Sequence, residues 1–312
     1  MMRARIDICA VNPKKPIFSL ALLALIWGSS FILMKHGLFA SDGSRVLDAV
    51  DIAAVRMTVA ALILLPVSIK AFRIVSAKDY LYIAVVGWAG SAIPALCFAT
   101  AQQKLDSGIA GMLNSLTPLF TFLIGIFIFQ RKVLWMQLTG IAVAMIGTLW
   151  LIASGHQTAQ LHWGYAMLLV LATFLYGMSV NTIAVKLRHV HALHITSLSL
   201  LMAALPYIIY LFSSNIHQRI QQHPEGLQSL GYIILLGAMG TGAANFIYFR
   251  ITQKAGPLYA SSVTYLIPIV SFLWAIADGE SIGAVQVLSA LLILSGVGLL
   301  RRGKQNEVSP TK

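Results

Sequence analysis

The chain has 312 residues, of which 58% are hydrophobic and 10% are charged. A soluble domain carries about 25% charged residues, so this composition excludes a soluble fold that covers its surface with polar side chains. The formal net charge of +12 would suggest nucleic acid in a soluble protein. The basic residues instead fall at the ends of apolar segments, which argues against a nucleic-acid partner and indicates a role in membrane topology.

Ten apolar segments follow one another along the chain, each compatible with a helix of about 20 residues that crosses a lipid bilayer. The first is longer than the core of a cleavable signal peptide, so we interpret it as a retained helix. The segments are 16–38, 51–71, 79–103, 107–129, 133–153, 162–185, 193–213, 227–252, 257–277 and 283–300. The predicted fold class is therefore an all-α membrane protein with ten transmembrane helices.

The basic residues divide unevenly between the two sides that this topology creates. With the N-terminus in the cytoplasm, 17 of the 22 Lys and Arg residues lie on the cytoplasmic side and 4 on the opposite side. Cytoplasmic loops of membrane proteins are enriched in these residues, so both termini are predicted to be cytoplasmic. The predicted location is the plasma membrane, with a bacterial inner membrane favoured. Asp278 and Glu280 are expected to be solvated in the outer turn after the ninth segment.

The second half of the chain repeats the first. Residues 98–122 align with residues 248–272 at a constant offset of 150, which pairs Pro118 with Pro268. Further matched pairs, in the same order along the chain, are Trp27-Gly28 with Tyr176-Gly177 and Gly147 with Gly296. Such self-similarity predicts a duplicated unit of five helices.

The predicted organisation follows from this repeat: a cytoplasmic tail at 1–15, a first five-helix unit at 16–153, a second at 162–300 and a second cytoplasmic tail at 301–312. Because five is odd, the two units cross the membrane in opposite directions. Inverted repeats are typical of transporters that hold substrate near the membrane midplane where the repeats meet. The sequence thus predicts alternating access between two states of similar free energy.

Four stretches resemble one transporter family: Trp27-Gly28-Ser29, Arg56, Asn114–Pro118 and Tyr265–Pro268. Together with the Gly-rich last segment they are similar to the EamA-type ten-helix members of the drug/metabolite transporter superfamily. The resemblance implies a metabolite exporter or permease with a central cavity lined mainly by helices 1, 3, 4, 6, 8 and 9. Cargo in that superfamily ranges over amino acids, purine-like metabolites and cationic drugs.

Arg56 is the strongest single candidate for the site, because an arginine inside an apolar helix costs at least about 2.5–3.5 kcal/mol. It is expected to face a cavity, a cluster of carbonyl groups or an acidic partner. One interpretation is binding of an anion or carboxylate, or a gate that opens in one state. The alternative is a structural contact with carbonyl groups at a helix end, reached by snorkelling.

Aromatic and small polar side chains recur at helical spacing in several segments. Aromatic walls with a few hydrogen-bonding groups suit a partly apolar cargo or a cation, while helix packing is the alternative for each residue taken singly. The predicted substrate-binding residues are Trp27, Ser30, Arg56, Trp88, Asn114, Tyr176, Asn245, Tyr248 and Tyr265. Pro118 and Pro268 are predicted to kink their helices around the cavity, because each removes a backbone hydrogen bond.

The other function classes have weaker support. The sequence contains no His-Glu-x-x-His run, no Gly-x-Ser-x-Gly elbow and no Gly-Lys-Ser/Thr phosphate loop, so we expect neither an intramembrane enzyme nor direct use of ATP. A non-transporting scaffold stays as a further alternative. The expected partners are a small-molecule substrate and the lipid bilayer; no cofactor or metal is expected. The oligomeric state is left open, a monomer included.

Overall fold

The computed structural model describes residues 14–128, 135–154, 163–280 and 283–305, and it is helical nearly throughout. No β-strand occurs in these ranges, so the prediction of an all-α fold is confirmed. The predicted tails at 1–15 and 301–312 lie largely outside the described residues. Arg131 and Lys132, two of the basic residues counted on the cytoplasmic side, also lie outside them.

The helices coincide with the predicted apolar segments to within a few residues. They are α1 (Lys14–Leu38), α2 (Ala49–Ala71), α3 (Ala77–Ala101), α4 (Ser107–Phe127), α5 (Trp135–Ser154), α6 (Trp163–Val185), α7 (Ala192–Ser213), α8 (Gly226–Ala255), α9 (257–277) and α10 (Ala284–Gln305). A short helix, Ile216–Gln222, joins α7 to α8. Among the described residues, seven helices are long and apolar enough to cross a membrane, and two shorter apolar helices lie in α9 and α10.

Local sequence sets several helix ends. Asp51 in the first turn of α2 accepts a hydrogen bond from the backbone N–H of Asp48 at 2.9 Å, which satisfies one of the donors that a helix start leaves free. Between α8 and α9, Gly256 has a φ of +88°. Glycine adopts this left-handed conformation at little cost, and Pro257 then suits the first position of a new helix. The pair therefore ends α8 and begins α9 within a single turn.

The helices are interrupted at equivalent places in the two halves. A π-helical turn spans Trp88–Ala92 in α3, and the repeat offset of 150 residues carries it into the π-helical stretch Leu236–Ala243 of α8. Likewise α4 is interrupted before Thr117 and α9 before Ile267. Pro118 and Pro268 each sit in the first turn of the restarted helix, where the missing N–H has no intrahelical partner to lose.

Equivalent residues in the two halves make equivalent contacts across the interface. A Cβ at Gly28 would lie 2.4 Å from Val270, and one at Gly177 would lie 2.8 Å from Phe120, which is the repeat partner of Val270. The helices α5 and α10 behave in the same way: Gly147 approaches Ile293 and Gly296 approaches Ala144. Reciprocal contacts of this kind characterise a two-fold relation, and small residues allow the close approach of membrane helices.

Candidate functional site

One cavity lies among α1, α2, α3, α4, α6, α8 and α9, and it has a volume of about 770 Å³ with its mouth included. Seven of the nine predicted substrate-binding residues line it. They are Trp27, Ser30, Arg56, Asn114, Tyr176, Asn245 and Tyr248. The two halves of the chain therefore contribute side chains to one space.

Trp88 and Tyr265 are the two remaining predictions. The side chain of Trp88 is 40% exposed and does not line the cavity, although Ser91 and Phe98 do. The prediction assumed an α-helical face, but the π-helical turn that begins at Trp88 holds one more residue per turn, and this turns Trp88 away from that face. The side chain of Tyr265 lies outside the part of the chain that is described.

Arg56 is held by the opposite half of the chain. Its Nε–H donates a hydrogen bond of 2.6 Å to the hydroxyl of Thr241, which lies in the π-helical stretch of α8. The contact requires close packing of α2 and α8, and Gly237 permits it, because a Cβ there would lie 2.8 Å from the carbonyl oxygen of Arg56. No ion pair to Arg56 occurs among the described residues.

The same π-helical stretch positions α1. The indole N–H of Trp27 donates to the carbonyl oxygen of Gly240 at 2.8 Å. Just after this stretch in the sequence, Asn245 donates through Nδ2 to the hydroxyl of Ser91 at 3.0 Å. Ser91 lies in the π-helical turn of α3. The two interrupted helices are thus joined to each other beside the cavity, and one of them holds both Trp27 and Arg56. Such interruptions are frequent at functional sites.

Two groups of aromatic rings form an apolar wall of the cavity. Trp27 meets Tyr248 edge-on with ring centroids 5.0 Å apart, and Phe31 lies 5.7 Å from Phe98, which in turn stacks at 6.1 Å on Tyr176. Most polar side chains between these rings are bonded to other groups of the protein. The hydroxyl of Ser30 donates to its own helix, whereas the side-chain amide of Asn114 has no hydrogen-bond partner among the described residues and faces the cavity. The lining therefore combines apolar surface with a small number of free donors and acceptors.

Sequence reasoning missed Thr241, which supplies the contact to Arg56, and also Ser179 and Thr264, which line the cavity. Thr241 stands in a Gly-rich stretch, in which Gly237 makes a close helix contact. The available signal was the spacing of Thr241 and Asn245, two polar residues four apart in an apolar helix. That spacing places both on one face.

A cluster of charged residues joins the two halves at the end where α1 terminates. The ammonium of Lys35 lies 2.5 Å from Asp278 and 2.8 Å from Glu280, and the imidazole of His36 lies 3.1 Å from Asp278. Glu280 also accepts a hydrogen bond of 2.7 Å from the hydroxyl of Ser107 at the start of α4. We call Lys35, His36, Asp278 and Glu280 the Lys35 cluster.

The expectation that Asp278 and Glu280 are solvated is therefore wrong. Their side chains are 19% and 6% exposed. The turn that carries them packs against the ends of α1 and α4, which are distant in sequence. A carboxylate beside the first N–H groups of α4 is also favoured by the partial positive charge of a helix N-terminus.

The two halves of this fold also share one sequence pattern. The profile of the EamA-like transporter family matches the chain twice, over residues 14–153 and 163–302. The chain belongs to the EamA-like transporter family. The resemblance that the sequence motifs indicated is thereby confirmed, and the chain is a multi-pass membrane protein of a transporter family.

Three relatives of this EamA-like chain span nearly its whole length. An "Uncharacterized transporter" of Archaeoglobus fulgidus is 23% identical over 91% of this chain and 97% of that protein. A "Probable amino-acid metabolite efflux pump" of Salmonella typhimurium is 22% identical over 91% and 94%. A "Probable terminal-alkyne amino-acid exporter" of Streptantibioticus cattleyicolor is 23% identical over 95% and 97%.

A solved crystal structure shares the fold of this EamA-like chain. It superimposes with a TM-score of 0.63 and 13% sequence identity, covering 95% of this chain and 99% of the other. At that identity the likeness shows the fold alone.

Proposed function

We propose that the chain exports small amphipathic or amino-acid-like metabolites across the bacterial inner membrane by alternating access. The observation that carries the proposal is the cavity at the meeting point of the two halves, where Arg56 is the single charged residue among the described residues of the lining. The names of two relatives, an efflux pump and an exporter of amino-acid compounds, support the direction and the kind of cargo.

In the proposed topology all ten helices cross the bilayer and both termini are cytoplasmic. The uneven distribution of basic residues supports this orientation. The loop between α1 and α2 and the Lys35 cluster then lie at the outer face. Since each half has five helices, the halves run in opposite directions, as in inverted-repeat transporters.

The reciprocal contacts between the halves support alternating access. When one unit packs on the other through the same residues in both directions, exchanging the roles of the units gives a second arrangement with similar contacts. The free energies of the outward-open and inward-open states are then close, and a cargo that binds both can pass between them.

The described conformation is packed at the proposed outer face. Met34 and Phe98 line the cavity, and the next turns toward that face are buried at Leu38, Ala101 and Leu105. The Lys35 cluster joins the end of α1 to the turn after α9 and to the start of α4 at this same end. We therefore assign the layer and the cluster to the closed outer gate.

Transport is tested by comparing metabolites inside and outside cells that produce the chain, its Arg56→Ala variant, or neither. We expect compounds to accumulate in the medium only with the unaltered chain. Arg73→Ala is the matched control, because Arg73 is exposed in the connection between α2 and α3 and its loss should leave export intact. Identical media with and without the chain would contradict export, and a chemical conversion with no change in distribution would indicate an enzyme.

A further inference from the structure

Among the residues that the structure describes, the cavity lining contains one permanent charge, Arg56, and no counter-charge. The described carboxylates lie at the ends of helices or in loops, and each buried one is engaged elsewhere. Asp51 accepts from Arg219 at 2.8 Å and from Tyr210 at 3.0 Å. Asp79 pairs with His189 at 2.9 Å and Glu280 with Lys35 at 2.8 Å. Within the described ranges, none of these groups lines the cavity.

An unpaired guanidinium inside an apolar helix bundle is costly, because burial removes its hydration and no negative charge replaces it. The Thr241 hydroxyl is a neutral acceptor and compensates only part of this cost. A contact with helix-end carbonyl groups is the structural alternative, but Arg56 makes no hydrogen bond to a carbonyl oxygen among the described residues; its side chain bonds only Thr241. The positive charge of Arg56 is therefore available to pair with a ligand.

The geometry of the guanidinium suits a carboxylate. The Nε–H of Arg56 is bonded to Thr241. The edge formed by the two terminal nitrogens of Arg56 has no partner among the described residues. That edge presents two parallel N–H donors, the arrangement that binds the two oxygens of a carboxylate. The free amide of Asn114 and the ring wall of Phe98 and Tyr176 lie around the same cavity and suit a second polar group and an apolar body.

We infer that the cargo must carry an acidic group, which pairs with Arg56, together with an apolar body that lies against the aromatic wall. An amino group is tolerated, because neutral acceptors such as Asn114 are present, but it does not replace the acid. Cations without an acid are excluded by the uncompensated positive charge of Arg56. This inference rests on the proposed transport function and narrows its substrate class.

The test uses purified chain in liposomes that are preloaded with four probes of similar size: 3-phenylpropionate, phenylalanine, 3-phenylpropanamide and 2-phenylethylamine. Efflux is compared with protein-free liposomes, and an indole series repeats the set. We expect protein-dependent efflux of the two acids only. Efflux of the acids by the Arg56→Gln variant should fall about 30-fold or more, because removing one partner of a buried charge pair leaves the other unpaired. Arg56→Lys should retain part of the activity, because it keeps the charge but loses the paired donors.

Efflux of the amine that equals or exceeds efflux of the acids would overturn the inference, and so would acid efflux that survives in Arg56→Gln. Either result would leave transport itself standing. Failure of the proposed function has a different signature, because the media of cells with and without the chain would then be the same.

Discussion

At the scale of single residues, Arg56 depends on Thr241 for its direction. The two side chains come from opposite halves of the chain and meet at 2.6 Å. A threonine hydroxyl that accepts from Nε fixes one edge of the guanidinium and turns the other edge to the cavity. Thr241 thus acts as a positioning residue for a group that we expect to bind cargo.

Replacing Thr241 with valine keeps the shape of the side chain and removes the acceptor. We expect export to fall about tenfold, and stability to fall by about 1.5–3 kcal/mol, the usual worth of a hydrogen bond to a charged group. Thr241→Ser should restore both, since it keeps the hydroxyl. Thr196→Val is the control, because the Thr196 hydroxyl bonds Ala192 within its own helix, away from the cavity. Export and thermal unfolding measure the outcome, and unchanged export in Thr241→Val would remove Thr241 from this role.

At the scale of elements, the π-helical stretch of α8 sets the distance between α8 and α2. Gly237 lies against backbone and side-chain atoms of α2 at Arg56 and Val59. A rigid backbone cannot yield as the end of a flexible side chain can. The contact between Arg56 and Thr241 therefore requires a small residue at position 237.

Gly237→Ala should push α8 away from α2 and destabilise the protein by about 1–3 kcal/mol, the usual cost of overpacking. Gly231→Ala is a matched control in the same helix, because a Cβ there meets nothing within 4 Å. Alanine has the higher helix propensity, so this control should be neutral or stabilising by up to about 1 kcal/mol. Thermal unfolding in detergent compares the two, and equal effects would refute the close-packing argument.

At the scale of the whole molecule, the Lys35 cluster joins the two halves at the proposed outer gate. Glu280 comes from the second half and contacts Lys35 and Ser107 in the first. These contacts exist only while the halves are packed at this end. We therefore expect them to stabilise the proposed state that is closed to the outside.

Glu280→Gln should weaken the closed state by removing the charge with little change in shape. We expect a cysteine placed at Met34, in a chain without Cys9 and Cys97, to react roughly tenfold faster with an impermeant maleimide outside intact cells, as the loss of one charged hydrogen bond predicts. Asp42→Asn is the control, because Asp42 lies exposed at the same end and its side chain bonds only Ser44 among the described residues. Its substitution should leave the labelling rate unchanged. Equal rates in the two variants would show that the cluster does not hold the gate.

Much of the architecture could be read from the sequence because the bilayer enforces local rules. Backbone groups in lipid must bond within their own segment, so apolar runs such as 51–71 and 162–185 had to be helices. The matched positions of Gly28 with Gly177 and of Gly147 with Gly296 marked the duplication, and Arg56 stood out because its charge is costly in an apolar helix.

The sequence by itself determined the helices, the repeat and seven of the residues that line the cavity, since each depends on composition or on spacing along one segment. Only the tertiary structure decided which residues meet across the repeat. It paired Arg56 with Thr241, buried Glu280 beside Lys35 and turned Trp88 away from the cavity at a π-helical turn. These contacts join residues far apart in the chain, and their geometry depends on how two packed units fit together, which no local pattern records.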